Sequence, residues 1–183
     1  MRIVAGTAGG RPLKAPPDGL RPTMDRVRAA VFSSLGDLVP DARVLDLFAG
    51  SGGMGIEALS RGAASAVFVD ENAACIRCVR ANLRMAGVEA STQTMDAYRF
   101  IDLYAGEESF DLIFADPPYT KRPEDIDHAS ILLGSEKLYH ALSPGGIFVL
   151  EKQSGGAPLP DSPFELLKTK RYGGSEIIYF SRT

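Results

Sequence analysis

From Arg43 onward, short β-rich runs alternate with segments of helical periodicity, and this alternation limits the fold more than any other feature of the chain. The predicted strands are continuous apolar runs, which is typical of strands buried on both faces. We therefore predict an α/β fold in which helices cover both sides of a mostly parallel sheet. The strands are predicted near residues 43–47, 66–70, 89–95, 110–115 and 145–150.

The clearest helix is predicted over residues 72–86. Its apolar side chains Ile76, Val79 and Leu83 recur at helical spacing, and Gly87 follows as a C-terminal cap. Near the end of the chain, residues 164–169 and 175–181 are β-rich and flank the turn sequence RYGG. They predict an antiparallel hairpin at one edge of the sheet.

The N-terminal part has a different pattern. Residues 2–5 and 11–14 are β-like and surround a glycine-rich turn, which predicts a small hairpin. A helix follows, with Thr23 or Asp25 as its cap, and its apolar face is predicted to hold Val27, Ala30, Val31, Leu35 and Leu38. We expect an N-terminal basic appendage over residues 1–40 and the main domain over residues 41–183.

Charge is unevenly divided along the chain. Residues 1–30 hold six basic and two acidic side chains, a net charge of +4, whereas the whole chain of 183 residues carries −3. This asymmetry predicts a phosphate-facing patch on an acidic body, or alternatively an ordinary solvated face. The candidate nucleic-acid contacts are Arg11, Lys14, Arg21 and Arg26.

The composition argues against a membrane protein, a secreted protein and a metal-binding protein. The sequence has no apolar stretch of about 18 residues and no secretory leader pattern, so we expect a cytoplasmic protein without membrane association. Cys75 and Cys78 form a CxxC within the helical pattern of residues 72–86, without a second cysteine pair. We interpret them as reduced thiols on a helix and assign no metal.

A glycine-rich loop follows the first predicted strand, in the sequence VLDLFAGSGGMGIEAL. Gly50, Gly52 and Gly55 match the spacing of a dinucleotide-binding loop, where the missing Cβ lets a cofactor approach the backbone. Asp70 lies at the end of the second strand, where a carboxylate could bind ribose hydroxyls. These residues alone are compatible with NAD.

Two features favour S-adenosylmethionine over NAD. Asp46, before the loop, places a carboxylate where a cationic cofactor is better suited than a pyrophosphate. The fourth strand ends in Asp116, Pro117, Pro118 and Tyr119, a stiff turn at the same predicted sheet edge. The Asp116 carboxylate and a backbone carbonyl of the proline turn could accept both hydrogens of an exocyclic base amine, and Tyr119 could stack on that base.

The segments DLFAGSGGMGIEAL, FVDEN, DAYRF and DPPY together resemble class I S-adenosylmethionine-dependent methyltransferases that act on exocyclic amines. With MRIVAGTAGGRPLKAP, RPTMDRVRAAVF and RYGG, nearly the whole chain resembles the bacterial 16S ribosomal RNA guanine-N2 methyltransferase family. That family often has Phe at the position of Tyr119, and Phe preserves stacking.

The resemblance implies a Rossmann-like domain with a seven-stranded sheet, acting as a monomer on 16S rRNA within an assembling small subunit. It implies methyl transfer from S-adenosylmethionine to the N2 amine of a flipped guanine, leaving S-adenosylhomocysteine. The implied cofactor-binding residues are Asp46, Phe48, Gly50, Gly52, Asp70, Asp96 and Ala97, and the implied catalytic ones are Asp116, Pro117, Pro118 and Tyr119.

Other functions remain open on the residues alone. A DNA adenine or cytosine methyltransferase shares the DPPY chemistry, although the chain has no long insertion for target recognition. A protein-glutamine methyltransferase acts on an amide and more often carries an Asn-Pro-Pro-Tyr motif. A non-catalytic RNA-binding module would need neither the glycine loop nor DPPY, and an NAD-dependent oxidoreductase would not need DPPY.

Overall fold

The computed structural model describes residues 1–15, 25–106, 109–119 and 125–183. Within these ranges the helices are α1 (Asp25–Leu35), α2 (Gly53–Ser60), α3 (Ala73–Ala86), α4 (Ala97–Tyr104), α5 (His128–Leu133) and α6 (Glu136–Ala141). The strands are β1 (Arg43–Leu47), β2 (Ser65–Asp70), β3 (Ser91–Thr94), β4 (Phe110–Ala115), β5 (Leu142–Gln153), β6 (Glu165–Tyr172) and β7 (Ser175–Ser181).

These strands form one seven-stranded sheet in the order β3-β2-β1-β4-β5-β7-β6. Strands β1 to β5 pair in parallel, whereas β7 is antiparallel to both β5 and β6. The predicted α/β fold and its antiparallel C-terminal hairpin are therefore confirmed. The strand order reverses beside β1 and β4, and ligands bind at such a point in open α/β sheets.

The helices cover the two faces of the sheet and enclose two apolar clusters. One cluster contains α1, α2 and α3 side chains such as Phe32, Ile56 and Val79, and the other contains α4, α5 and α6 side chains such as Phe100, Leu132 and Leu138. Each buried strand supplies alternate residues to the two clusters, because successive side chains point to opposite faces. This explains why the central strands β1, β2 and β4 are mostly apolar.

The predicted boundaries are close to the observed ones, with three differences. Strand β6 runs over Glu165–Tyr172, three residues beyond the predicted end at residue 169. Strand β5 extends over Leu142–Gln153, well beyond the predicted residues 145–150. Helix α1 ends at Leu35 and is followed by a 3-10 helix (Gly36–Leu38), so Leu38 is not on the apolar face as predicted but is 50% exposed. Thr23, the alternative helix cap, lies outside the described residues.

The N-terminal segment, residues 1–15, packs against the main body. Its predicted hairpin is present as an antiparallel pairing with a single bridge, Arg2 to Pro12, which is too short to form two strands. Ile3 and Leu13 are buried in the same cluster as the α1 and α2 side chains. A Cβ on Gly6 would lie 1.8 Å from the carbonyl oxygen of Ser60, at the end of α2. Only glycine therefore permits this close approach.

A buried ion pair joins the N-terminal segment to α1 and α2. Arg28 and Glu57 are both fully buried, and the Arg28 Nε lies 3.4 Å from a Glu57 carboxylate oxygen. Glu57 also accepts hydrogen bonds from the backbone N–H groups of Val4 and Ala5, at 2.7 and 3.0 Å. Arg28 in turn donates to the carbonyl oxygen of Arg2. These contacts fix residues 1–5 against α1 and α2.

Asn82 of α3 makes a second connection to the segment. Its side-chain amide donates to the carbonyls of Lys14 (3.0 Å) and Ser51 (2.9 Å), and its oxygen accepts the Lys14 N–H at 2.8 Å. One buried amide therefore links the N-terminal segment with the loop after β1.

In the part of the chain that the structure describes, no helix has both the length and the apolar character needed to cross a bilayer.

Candidate active site

The three strand-end aspartates lie at the carboxyl edge of the sheet. Asp46 is the fourth residue of β1, Asp70 is the last residue of β2, and Asp116 directly follows β4. The parallel register places Asp46 beside Phe114, two residues before Asp116, so both carboxylates border the crevice at the reversal of strand order. The sequence predicted this edge as the place of the chemistry.

The loop between β1 and α2 uses backbone conformations that favour glycine. Gly50 has a φ of +54° and Gly52 a φ of +78°, both in the left-handed region. A Cβ on Gly50 would meet only the Phe48 carbonyl, at 4.0 Å, so the space beside it is open to a ligand. Phe48 itself has a φ of +56°, which is uncommon for a bulky residue and marks the loop as strained.

Gly55 has a packing role. It lies within α2 rather than in the loop where the sequence placed it, and a Cβ there would come within 2.4 Å of the Phe68 ring. Its backbone N–H donates to the Asp46 carboxylate at 2.9 Å. The third glycine of the fingerprint therefore brings α2 against β2 and does not line the ligand space.

Asp46 is an acid in an apolar environment, with 4% of its surface exposed. Burial raises the pKa of Asp46 to about 7, while the Gly55 N–H opposes the shift and the nearby charge of Asp70 adds to it. The side chain is therefore poised between its neutral and charged forms near neutral pH. A cation bound beside it would favour the carboxylate.

The raised pKa of Asp46 predicts a pH-dependent loss of stability. The folded protein holds this proton more tightly than the unfolded chain, whose aspartate has a pKa near 4. Stability should therefore fall as the pH rises from about 4 through 7, by about 2 to 3 kcal/mol between pH 5 and 8. Asp46→Asn keeps an oxygen for the Gly55 N–H but cannot titrate, so its profile should lack this component. Urea unfolding of both proteins without added ligand would measure the difference, and parallel profiles would contradict it.

Asp70 organises the glycine loop. One of its oxygens accepts the Gly50 N–H and the other accepts the Asn72 N–H, both at 2.8 Å. Asn72 in turn caps α3 by accepting the Ala74 N–H. A carboxylate has about four acceptor sites, so Asp70 can still bind hydroxyl groups of a ligand.

Asp96 caps α4, whose first residue is the buried Ala97. The Asp96 carboxylate accepts the Arg99 N–H at 2.9 Å and so caps the helix. The residue is exposed, so the carboxylate can also contact a ligand. Next to this cap lies an aromatic group that the sequence did not predict. It consists of Phe48, Tyr98 and His128, with the Tyr98 hydroxyl 2.5 Å from the His128 Nδ1.

Burial lowers the pKa of His128 below its ordinary value and so favours the neutral ring, although the charges of Asp127, Asp96 and Glu71 oppose the shift. Its ring stacks on that of Tyr98 with a centroid separation of 5.9 Å, and Phe48 packs edge-on against both rings. The group forms an apolar wall between the loop after β1 and helix α4. Such a wall suits a planar heterocyclic ligand. Phe48 and Tyr98 lie in the segments DLFAGSGGMGIEAL and DAYRF, but no motif contains His128 or joins the three residues, which are separated by 50 and 30 positions.

A cavity that is partly open to solvent lies beside Asp116. Three acidic side chains border it: Asp46, Asp116 and Glu151. The other lining side chains are apolar, and they come from α1, α2 and the strands: Val31, Met54, Phe114, Val149 and Ile177. An apolar cavity with a few carboxylates suits a ligand that presents hydrogen-bond donors.

Tyr119 is anchored by its hydroxyl group. It donates to the Glu151 carboxylate at 3.0 Å and lies 2.7 Å from the Ser175 hydroxyl. Burial, together with the charges of Glu151 and Asp116, raises the pKa of Tyr119 to about 12, so the phenol keeps its proton. Of the two prolines that position this ring, Pro117 is buried and Pro118 is exposed. The sequence predicted the ring but not its anchor.

The predicted basic residues have different environments. The Arg11 guanidinium donates to the carbonyls of Met85 and Ala86 and so caps the C-terminus of α3. Lys14 and Arg26 are exposed, and Arg21 lies outside the described residues. Arg11 is exposed as well, but its guanidinium already donates hydrogen bonds to the C-terminal carbonyls of α3.

Helix α3 carries further arginines that the sequence analysis did not single out. Arg77, Arg80 and Arg84 are exposed at positions i, i+3 and i+7, so they lie on one face, and α3 contains no acidic residue. The backbone N–H of Lys14 donates to the side chain of Asn82, which places Lys14 next to α3. We call Lys14, Arg77 and Arg84 the basic surface. Its signal in the sequence is the spacing of the arginines.

Comparisons with known proteins agree with this geometry. Residues 1–181 match the family described as Conserved hypothetical protein 95. The chain is 35% identical over 188 residues to the putative rRNA methyltransferase YlbH of Bacillus subtilis, covering 100% of this chain and 99% of that protein. It is 30% identical over 177 residues to ribosomal RNA small subunit methyltransferase D of Haemophilus influenzae, covering 94% and 89%.

Solved structures give the same result. The putative methyltransferase yhhF of Escherichia coli superposes with a TM-score of 0.79 at 30% identity, covering 100% of this chain and 97% of that one. The predicted Rossmann-like methyltransferase fold is thereby confirmed. This chain belongs to the Conserved hypothetical protein 95 family, the family of the ribosomal RNA small subunit methyltransferase D proteins.

Proposed function

We propose that this protein transfers a methyl group from S-adenosylmethionine to the exocyclic N2 amine of a guanine in 16S ribosomal RNA, in line and with the base flipped out of its stack. The observation that carries the proposal is the placement of Asp116 on a carboxylate-bordered cavity, at the same sheet edge as the glycine loop. The names of the relatives support ribosomal RNA of the small subunit as the substrate. The proposal places that RNA within an assembling particle. An rRNA substrate would place the reaction in the cytoplasm.

The residues at the carboxyl edge fit S-adenosylmethionine. The open space beside Gly50 admits a ligand against the loop backbone, and Asp70 has acceptor sites left for ribose hydroxyls. Asp46, with its pKa raised to about 7, would be returned to its charged form by a cationic ligand. Asp96, Ala97 and the wall of Phe48, Tyr98 and His128 would bind the adenine. When bound, the cofactor would supply an electrophilic methyl group on a cationic sulfonium.

The remaining task of the chain is to present the amine. The lone pair of an exocyclic amine is delocalised into its ring, so the amine is a weak nucleophile. Asp116 and a carbonyl of the proline turn would accept its two hydrogens and aim the lone pair away from the ring plane. Tyr119, held in position by Glu151 and Ser175, would stack on the base.

The identity of the product tests the proposal. Wild-type protein would be incubated with methyl-labelled S-adenosylmethionine and small subunits that lack the modification, and the RNA would then be digested to nucleosides for mass analysis. We expect N2-methylguanosine. In parallel incubations with DNA or with protein in place of the subunits, label in N6-methyladenine, N4-methylcytosine or glutamine would support the corresponding alternative methyltransferase and overturn the proposal. Asp116→Ala serves as the inactive control.

The RNA would be held largely through its phosphates. We assign this role to the basic surface together with Arg26, Arg21 and the exposed part of Arg11. Each neutralised phosphate releases counterions, so RNA affinity should depend on salt with a slope of about 0.7 to 0.9 per contact. The basic surface should therefore contribute to affinity without contributing to base choice.

Replacing Arg77 and Arg84 together with Ala should weaken RNA binding and lower the magnitude of its salt slope by about 1.5 to 2. Cofactor affinity should not change. The matched control is Lys137→Ala with Lys170→Ala, which removes the same charge from exposed positions on α6 and β6. Filter binding between about 50 and 300 mM salt would give the slopes. If both double variants have the wild-type slope, α3 does not contact RNA.

A further inference from the structure

Glu151 is an acidic residue in the middle of the candidate active site, and no sequence motif assigns it a role. It lies near the end of β5, opposite Ile177 of β7, and it borders the same cavity as Asp116. Tyr119 is its one side-chain hydrogen-bond donor among the residues that the structure describes, and it occupies only Oε1. Since a carboxylate has about four acceptor sites, Glu151 can accept further hydrogen bonds from a ligand in the cavity.

The pairing edge of guanine differs from those of the other amino bases in a way that a second carboxylate can detect. Guanine presents its N1–H beside the N2 amine, so two neighbouring groups donate hydrogen bonds. Adenine and cytosine present an unprotonated ring nitrogen beside their amines. An acceptor next to the amine site is therefore complementary to guanine, whereas it would set lone pair against lone pair with the other two bases.

We propose that Glu151 accepts the N1–H of the target guanine while Asp116 accepts a hydrogen of its N2 amine, so that Glu151 selects guanine over adenine and cytosine. This inference rests on the proposed guanine-N2 methyltransferase function. Both carboxylates border one cavity whose other walls are mainly apolar. A base that lacks the N1–H would turn a ring-nitrogen lone pair toward the Glu151 carboxylate, and this repulsion disfavours that base.

A purely structural role for Glu151 would be to hold the Tyr119 ring. The two roles predict different behaviour of Tyr119→Phe, which removes the hydroxyl and therefore the Tyr119 to Glu151 hydrogen bond. If Glu151 only holds the ring, Tyr119→Phe should resemble Glu151→Gln. If Glu151 selects the base, the choice of base should survive in Tyr119→Phe, whatever its effect on the rate. Ser175→Ala, which removes the other hydroxyl contact of Tyr119, should also preserve it.

The experiment compares guanine with 2-aminopurine at the target position of 16S RNA ligated from a synthetic fragment and assembled into small subunits. 2-Aminopurine keeps the N2 amine but has an unprotonated N1. The wild-type protein should prefer guanine by about 100-fold in kcat/KM, as expected for the loss of one hydrogen bond to a charged group. In Glu151→Gln the side-chain NH₂ can donate to that nitrogen, so the ratio should fall to within about threefold of unity. Melting temperature and cofactor affinity should stay at wild-type values.

The outcomes separate the inference from the function on which it rests. If the wild-type protein forms N2-methylguanosine and Glu151→Gln keeps the wild-type ratio, the selective role of Glu151 is overturned and the methyltransferase proposal stands. A ratio that falls equally in Glu151→Gln and Tyr119→Phe assigns Glu151 to holding the ring and also overturns it. If the wild-type protein forms no N2-methylguanosine, the proposed function fails, and the inference fails with it.

Discussion

Replacing Asp116 with alanine should reduce methyl transfer by about two to three orders of magnitude, an increase of about 3 to 4 kcal/mol in the barrier. Asp116 lies after the end of β4, where the proline turn fixes its backbone, and it borders the cavity beside the glycine loop. Its removal leaves the loop and its hydrogen bonds with Asp70 intact. Cofactor affinity and melting temperature should therefore stay at wild-type values while turnover falls.

Single-turnover methylation of small subunits, measured beside calorimetric cofactor binding, would separate the two effects. Asp116→Asn keeps an acceptor oxygen but adds an NH₂ group, and we expect partial activity from it. Asp161→Ala, which removes an exposed carboxylate outside the cavity, is the matched control and should transfer methyl groups normally. If Asp116→Ala transfers at near the wild-type rate, the proline turn only ends the strand and the amine-binding role is wrong.

Replacing Arg28 with methionine should cost about 3 to 5 kcal/mol of stability, because it leaves the buried charge of Glu57 without one of its partners. Arg28 and Glu57 are both fully buried, and Arg28 also pairs with Asp25 at 2.8 Å. Arg61 and two backbone N–H groups would remain as partners of Glu57. Equilibrium unfolding in urea would measure the loss.

The control for Arg28 is an exposed ion pair. Lys137 and Asp102 lie 3.2 Å apart with side chains 58% and 64% exposed, so Lys137→Met should cost no more than about 1 kcal/mol. Equal losses in Arg28→Met and Lys137→Met would show that the buried network contributes nothing beyond an exposed pair.

Much of the fold could be predicted from the sequence because burial on both faces leaves a signal in every central strand. The apolar runs that predicted β1, β2 and β4 are the ones with helices on both sides. The extent of β5 was less predictable, since its first residues, Leu142 to Gly146, include a proline and two glycines. Leu38 was misplaced because periodicity alone does not show that the chain tightens into a 3-10 turn at Gly36.

The candidate site was predictable only where residues follow strands or turns. Asp46, Asp70 and Asp116 could be found because strand ends meet at one edge, and the loop glycines because of their spacing. Glu151 gave no signal, since it lies inside a strand and its importance depends on what faces it across the cavity. The same reason hid the arrangement of Phe48, Tyr98 and His128, which only tertiary packing brings together.

The anchoring of residues 1–15 has a consequence for biosynthesis. These residues are made before their partners on α2 and α3: Val4 bonds to Glu57, Thr7 to Ser60, Lys14 to Asn82 and Arg11 to Ala86. During translation only the local pairing of Arg2 with Pro12 can form until the polypeptide has been extended through α3. Ile3 and Leu13 remain uncovered during that interval, since the surfaces that bury them do not yet exist. The start of the chain is therefore among the last parts to become ordered, and contacts of such large sequence separation slow folding.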